Sequence, residues 1–219
     1  MHGIRRSKYH IPPLWAMAVA AALFLFMAFQ IITTGGSTVD APVYGAVSGL
    51  ISPGVTKIVT VITHMGGQSV LIPLCVVSCL LIWKAWGWRL MAVNGANLFL
   101  ASMCNKLLKA LVQRPRPELE QLVSQGGYSF PSGHSLSAMA FYGMLAIILL
   151  ARLKGNKKYW IAALLGLLIL LIGVSRIYVG VHYASDVIAG LCEGFVWIGL
   201  VSRIPWVADA IRGPGRELL

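Results

Sequence analysis

Acidic side chains are scarce in this chain: Asp and Glu together number 7, against 18 Lys and Arg in 219 residues. Charge of either sign reaches only 11%, where soluble domains carry about 25%. With 58% of its residues apolar, the chain has too few charges to cover the exterior of a soluble fold. The same hydrophobicity excludes a disordered chain. The shortage of carboxylates also leaves no cluster suited to magnesium. Cysteine is sparse as well. Cys75, Cys79, Cys104 and Cys192 lie within apolar runs and lack metal-ligand spacing to histidine, so neither a zinc site nor a disulfide framework is expected. These absences leave a compact, all-α polytopic membrane protein with one transmembrane domain over residues 1–219.

The net charge of +11 does not indicate nucleic-acid binding, because the basic residues sit in short clusters between long apolar runs. A helix needs about 20 apolar residues to cross the hydrocarbon core, and six such helices are expected. They run from Pro12 to Thr34, within Val55 to Trp83, from Trp88 to Val112, from Ser132 to Ala151, from Tyr159 to Arg176 and from Ala184 to Arg203. The first is read as a retained anchor, being long for a signal peptide and lacking a small-x-small cleavage site. The second has a weak point at His64-Met65-Gly66-Gly67. In the connector before it, Asp40 is expected to cap a short helix from Pro42 to Ile51.

Orientation follows from the Lys/Arg distribution. Twelve basic residues (Arg5, Arg6, Lys8, Lys84, Arg89, Arg152, Lys154, Lys157, Lys158, Arg203, Arg212 and Arg216) fall on one face, and six (Lys57, Lys106, Lys109, Arg114, Arg116 and Arg176) on the other. The positive-inside rule makes the richer face cytoplasmic and places both termini inside. Trp15, Trp83, Trp86, Trp88, Trp160 and Trp206 then form an aromatic belt near that interface.

Five of the six outer cations cluster around three segments that this topology brings to one side. Lys109 and Arg116 are two helical turns apart, and Pro115 and Pro117 force Arg116 into extended backbone. An ammonium beside a planar guanidinium suits a phosphate, although two snorkelling interfacial cations give the same pattern. Pro131-Ser132-Gly133-His134 opens the fourth helix, whose free N–H groups form an anion site beside His134. Taken singly, a histidine there is as readily structural. His182 and Asp186 share one helix face, and the carboxylate can hold one ring nitrogen protonated while the other attacks. The bland reading of that pair is interhelical glue. Arg176 supplies a third cation.

Taken together, Lys109-x6-Arg116-Pro117, Pro131-Ser132-Gly133-His134 and Ser175-Arg176-x5-His182-x3-Asp186 resemble the three-part signature of the type 2 phosphatidic acid phosphatase superfamily. The lack of extra domains is similar to its compact bacterial phosphatidylglycerophosphatase B and undecaprenyl-diphosphatase members. The resemblance implies a metal-independent, cofactor-free lipid phosphatase of the bacterial cell membrane, with its site on the extracytoplasmic side. It implies His182 as nucleophile, Asp186 as its orienting carboxylate and His134 as acid and base. Lys109, Arg116, Arg176, Ser132 and Gly133 would hold the phosphate oxygens. The implied substrates are lipid phosphates and diphosphates such as undecaprenyl diphosphate, phosphatidylglycerol phosphate and phosphatidic acid, met in the bilayer without an obligatory protein partner. A lipid phosphotransferase with the same site and a non-enzymatic lipid-phosphate carrier are the alternatives. Glu193, Asn94, Asn97 and Asn105 are expected to be packing contacts, His64 is expected to be structural, and Arg114 and Lys106 are candidates for the headgroup's outer surroundings.

Overall fold

The computed structural model describes residues 10–118 and 121–213. Arg5, Arg6, Lys8, Glu120, Arg216 and the two termini lie outside the described residues. Among the described residues the fold is helical throughout, with no strand. In chain order the helices are α1 (Leu14–Thr34), α2 (Asp40–Ser48), α3 (Pro53–His64), α4 (Gln68–Trp86), α5 (Trp88–Val112), α6 (Gly133–Arg152), α7 (Lys157–Tyr178), α8 (Ala184–Val201) and α9 (Pro205–Arg212). Helices α1, α4, α6, α7 and α8 are long and apolar enough to cross a membrane, and the protein is a multi-pass membrane protein. Helix α5, with 25 residues, is about 37 Å long, but Arg89, Lys106, Lys109 and three asparagines dilute its apolar character.

The expected second crossing is two helices. The chain breaks at Met65–Gly67, where the Gly66 and Gly67 amides turn back to Thr63 O and His64 O, and α4 starts at Gln68. The break is a packing requirement as well as a weakness in the helix. A Cβ on Gly66 would stand 2.5 Å from Ile172 Cγ2 of α7, so only glycine lets the turn approach that helix.

Helix α2 also differs from expectation. It starts at Asp40 rather than Pro42, and Asp40 lies inside the first turn instead of capping it. Its carboxylate accepts from the Ser37 amide but is otherwise committed to distant partners, described below.

Helix α8 is central, packing against α1, α6 and α7. Its Gly190 lets the backbone of Ser132 lie close, since a Cβ there would fall 2.4 Å from Ser132 O. Helix α6 contains a π turn over Met139–Gly143. In that turn the Ala140 carbonyl, besides accepting from the Met144 amide, accepts from Asn97 Nδ2 at 2.7 Å, while Asn97 Oδ1 accepts from Trp197 Nε1 at 3.0 Å. Asn97 thus joins α5, α6 and α8, and Asn94 joins α5 to α4 through Ser78 Oγ at 2.9 Å. In a lipid-exposed bundle such polar side chains hold helices together where the hydrophobic effect cannot.

Because successive long helices alternate in direction, the C-terminal ends of α5 and α7 and the N-terminal ends of α6 and α8 meet at one end of the bundle. That juxtaposition builds the site.

Candidate active site

A cavity of about 490 Å³ opens at this end, and Lys109, Arg116, Gly133, His134, Arg176 and His182 all line it. Residues from three segments separated by up to 73 positions therefore share one wall. The two remaining candidates stand behind it. Ser132 is fully buried, and its Oγ accepts from the Ser135 amide (3.5 Å) as the N-cap of α6. Its own amide donates to Asp186 O at 2.9 Å, which ties the start of α6 to α8. Asp186 lies directly behind His182 and is inaccessible.

His182 lies in the turn between α7 and α8, with its Nδ1 3.3 Å from Asp186 Oδ2. Burial pushes the imidazole down to about 4, against the opposing pull of Asp186, so the ring is neutral at neutral pH. With Nδ1–H directed at the carboxylate, Nε2 carries the lone pair and accepts from Arg116 Nη1 at 3.3 Å at the cavity wall.

The three cations are held ready by neutral acceptors. Lys109 Nζ donates to Tyr128 O (2.6 Å) and Ser129 O (3.2 Å). Arg116 donates to Gly126 O (2.8 Å), Gly127 O (2.9 Å) and Val181 O (2.7 Å), and burial lowers its guanidinium from its ordinary value. Arg176, 1% exposed, donates to Thr63 Oγ1 (2.6 Å) and Gln125 Oε1 (2.9 Å). Among the described residues no carboxylate meets these charges at hydrogen-bond range, so an arriving phosphate displaces dipoles of the chain. His134 packs on the Gly66–Gly67 turn, its Nε2 3.5 Å from where a Gly67 Cβ would lie. His64 lines the same cavity and bonds its ring to Thr60 O. Among the described residues, no three of His, Cys, Asp and Glu converge as a cation site.

Sequence reasoning missed the second layer. Asp186 Oδ1 accepts from Arg114 Nη1 at 2.7 Å, and Arg114 Nη2 donates to Asp40 Oδ2 at 2.7 Å. Asp40 Oδ1 accepts from the Ser185 amide at 2.9 Å, and the Arg114 guanidinium stacks on the Tyr183 ring at 3.9 Å. The available signal was the rarity of carboxylates: in so apolar a chain a buried Asp demands a cationic partner. Thr63 and Gln125, which hold Arg176, carried no comparable signal. Glu193 and Asn105 bond to each other (3.1 Å) as a packing pair, although Asn105 also reaches the cavity wall.

A helical membrane bundle ending in a pocket of three cations and two histidines is a membrane protein built to act on phosphate esters. A family profile described as the PAP2 superfamily matches residues 90–209. The chain belongs to that superfamily, and it is a phosphatase, a hydrolase of phosphate esters. It is 34% identical over 186 residues to phosphatidylglycerophosphatase B of Bacillus subtilis, which covers 81% of this chain and 89% of that protein. It is 33% identical over 124 residues to lipid A 1-phosphatase of Rhizobium johnstonii, which covers 50% of this chain and 47% of that protein. The crystal structure of the transmembrane PAP2-type phosphatidylglycerolphosphate phosphatase from Bacillus subtilis superposes with a TM-score of 0.79 at 30% identity. That match covers 85% of this chain and 94% of the other. Aquifex aeolicus LpxE, at 24% identity and a TM-score of 0.59, shares the fold.

Proposed function

We propose that this protein hydrolyses lipid phosphates and diphosphates at the outer face of a bacterial cell membrane, through a phosphohistidine on His182. The observation that carries this reading is the facing of His182 Nε2 onto a cavity that Lys109, Arg116, Arg176 and His134 also line. In the first step the Nε2 lone pair attacks phosphorus and the bond to the leaving oxygen breaks. His134 gives that oxygen its proton, and Asp186 stabilises the ring charge that develops on His182. In the second step the now neutral His134 takes a proton from water, the hydroxide oxygen bonds to phosphorus, and the P–N bond breaks to release inorganic phosphate. The three cations and the backbone at Gly133 hold the equatorial oxygens, which in phosphoryl transfer supplies most of the barrier reduction.

The lipid reading is supported by a second cavity of about 400 Å³ between α4 and α5, lined by Leu71, Ile72, Val76, Leu98, Phe99 and Met103 and sharing four lining residues with the first. Tails can stay in the bilayer while the headgroup enters sideways. Undecaprenyl diphosphate, phosphatidylglycerol phosphate and phosphatidic acid all have this shape, and the bilayer supplies them without a protein partner. The outer-face orientation is supported by the basic residues at the opposite helix ends, among them Lys84, Arg89, Arg152, Lys157 and Arg203.

Rapid quench of the purified protein with a radiolabelled lipid phosphate tests the mechanism. Acid-labile, alkali-stable label on the wild type and none on a folded His182→Ala variant is expected. Turnover by that variant would overturn the assignment.

A further inference from the structure

The two cavities share a neck formed by Gln68, Ser102, Lys106 and Ser137. Lys106 is the one cation, among the described residues, that lines both. It sits three residues before Lys109, about 4.5 Å lower along α5 and on a neighbouring face. Lys109, Arg116 and Arg176 are each engaged by acceptors of the chain. Lys106 makes no hydrogen bond or ion pair among the described residues and is exposed. Its long stem runs beside the exposed Met103 and Leu107, which leaves the ammonium uncommitted and able to meet an anion at the neck.

The substrate's own geometry says which anion this is, on the lipid-phosphatase reading above. A lipid with one phosphate ester places all its charge in the upper cavity, and its uncharged ester or prenyl carbons cross the neck. A lipid with two phosphates in series places the second one, which stays with the tails, between the reacting phosphate and the groove. That second phosphate falls at Lys106. We infer that Lys106, with Gln68 beside it, forms a subsite for the phosphate retained by the lipid product. The protein therefore selects lipids carrying two phosphates in series over lipids carrying one. The contact exists before and during phosphoryl transfer, so it acts on substrate capture and appears in kcat/KM.

The test uses the full-length protein in mixed micelles at fixed surface concentration, with a prenyl diphosphate and the prenyl monophosphate of the same chain length. The wild type is expected to favour the diphosphate in kcat/KM. Lys106→Ala is expected to lower that preference about tenfold, and Lys106→Arg to restore most of it. An equal fall on both lipids, or no change in the ratio, overturns the subsite and marks Lys106 as an anchor for bystander lipid headgroups. Failure of the wild type to release phosphate from either lipid would instead overturn the lipid-phosphatase reading itself.

Discussion

Arg114 Nη1 lies 2.7 Å from Asp186 Oδ1, closer than His182 Nδ1 lies to the other oxygen of the same carboxylate, at 3.3 Å. The carboxylate behind His182 is thus shared, and its tighter bond is to arginine. A carboxylate facing His182 alone would favour the imidazolium, which has no lone pair for attack. Dividing its charge with Arg114 helps keep the ring neutral.

Arg114→Gln should therefore change pH dependence as well as activity. His182 is held down to about 4, so in the wild type its protonation limits activity only in strong acid, and the neutral ring persists at all higher pH. The charged and titratable groups facing it are Asp186, Arg116 and Lys109, with His134 across the cavity. Removing Arg114 leaves Asp186 acting on His182 alone, so the acid limb of kcat/KM moves up, by about one pH unit. Arg114→Lys should keep the limb near its original place. Lower activity with an unmoved limb would mark Arg114 as structural only.

Thr63 offers a lever on Arg176 from outside the three motif segments. Thr63→Val keeps the shape but removes the acceptor of a buried guanidinium, at a cost of about 1–3 kcal/mol. If the cost falls on phosphate positioning, kcat/KM drops roughly 5- to 150-fold, while Thr63→Ser stays near wild type. Steady-state kinetics of the pair on one lipid phosphate decides it.

The Gly66 turn predicts a rescue. Gly66→Ala drives a methyl into Ile172 Cγ2 and should destabilise by about 1–3 kcal/mol. Ile172→Ala removes that Cγ2, so the double variant should lose less than the sum of the two single losses, read as thermal stability in detergent. Gly190→Ala meets the Ser132 backbone at 2.4 Å instead, and no side-chain trimming should rescue it.

Excess chelator should leave phosphate release unchanged, because the phosphate charge is met by Lys109, Arg116 and Arg176. Loss of activity restored by magnesium would contradict a site that works by side-chain charge alone.

The long apolar helices were legible because runs of crossing length are written directly in composition; α1 ends at the residue expected, Thr34, and α8 begins at the one expected, Ala184. The gathering of Lys109, His134 and His182 was legible for a related reason, since alternating helix directions decide which ends meet. Asp40 shows where that reading stops. Local capping rules assigned it to its own helix, yet its carboxylate pairs with Arg114, 74 residues away, and no local pattern encodes a partner at that distance. The acceptors of Lys109 and Arg116 were invisible for a different reason. They are backbone carbonyls at 126–129 and at Val181, and every residue type has one.

The π turn at Met139–Gly143 has a consequence for insertions and deletions. A π turn takes in one residue more than an α turn, so the two halves of α6 are offset by about 100° from an unbroken helix. Deleting one residue within 139–143 would remove the extra residue, restore regular helix and leave His134 facing His182 as before. The same deletion in the connector at 153–156 would be absorbed by slack. A single-residue deletion is therefore expected to be tolerated within the π turn, whereas a second one there, with no extra residue left to absorb it, is expected to turn His134 away and be fatal.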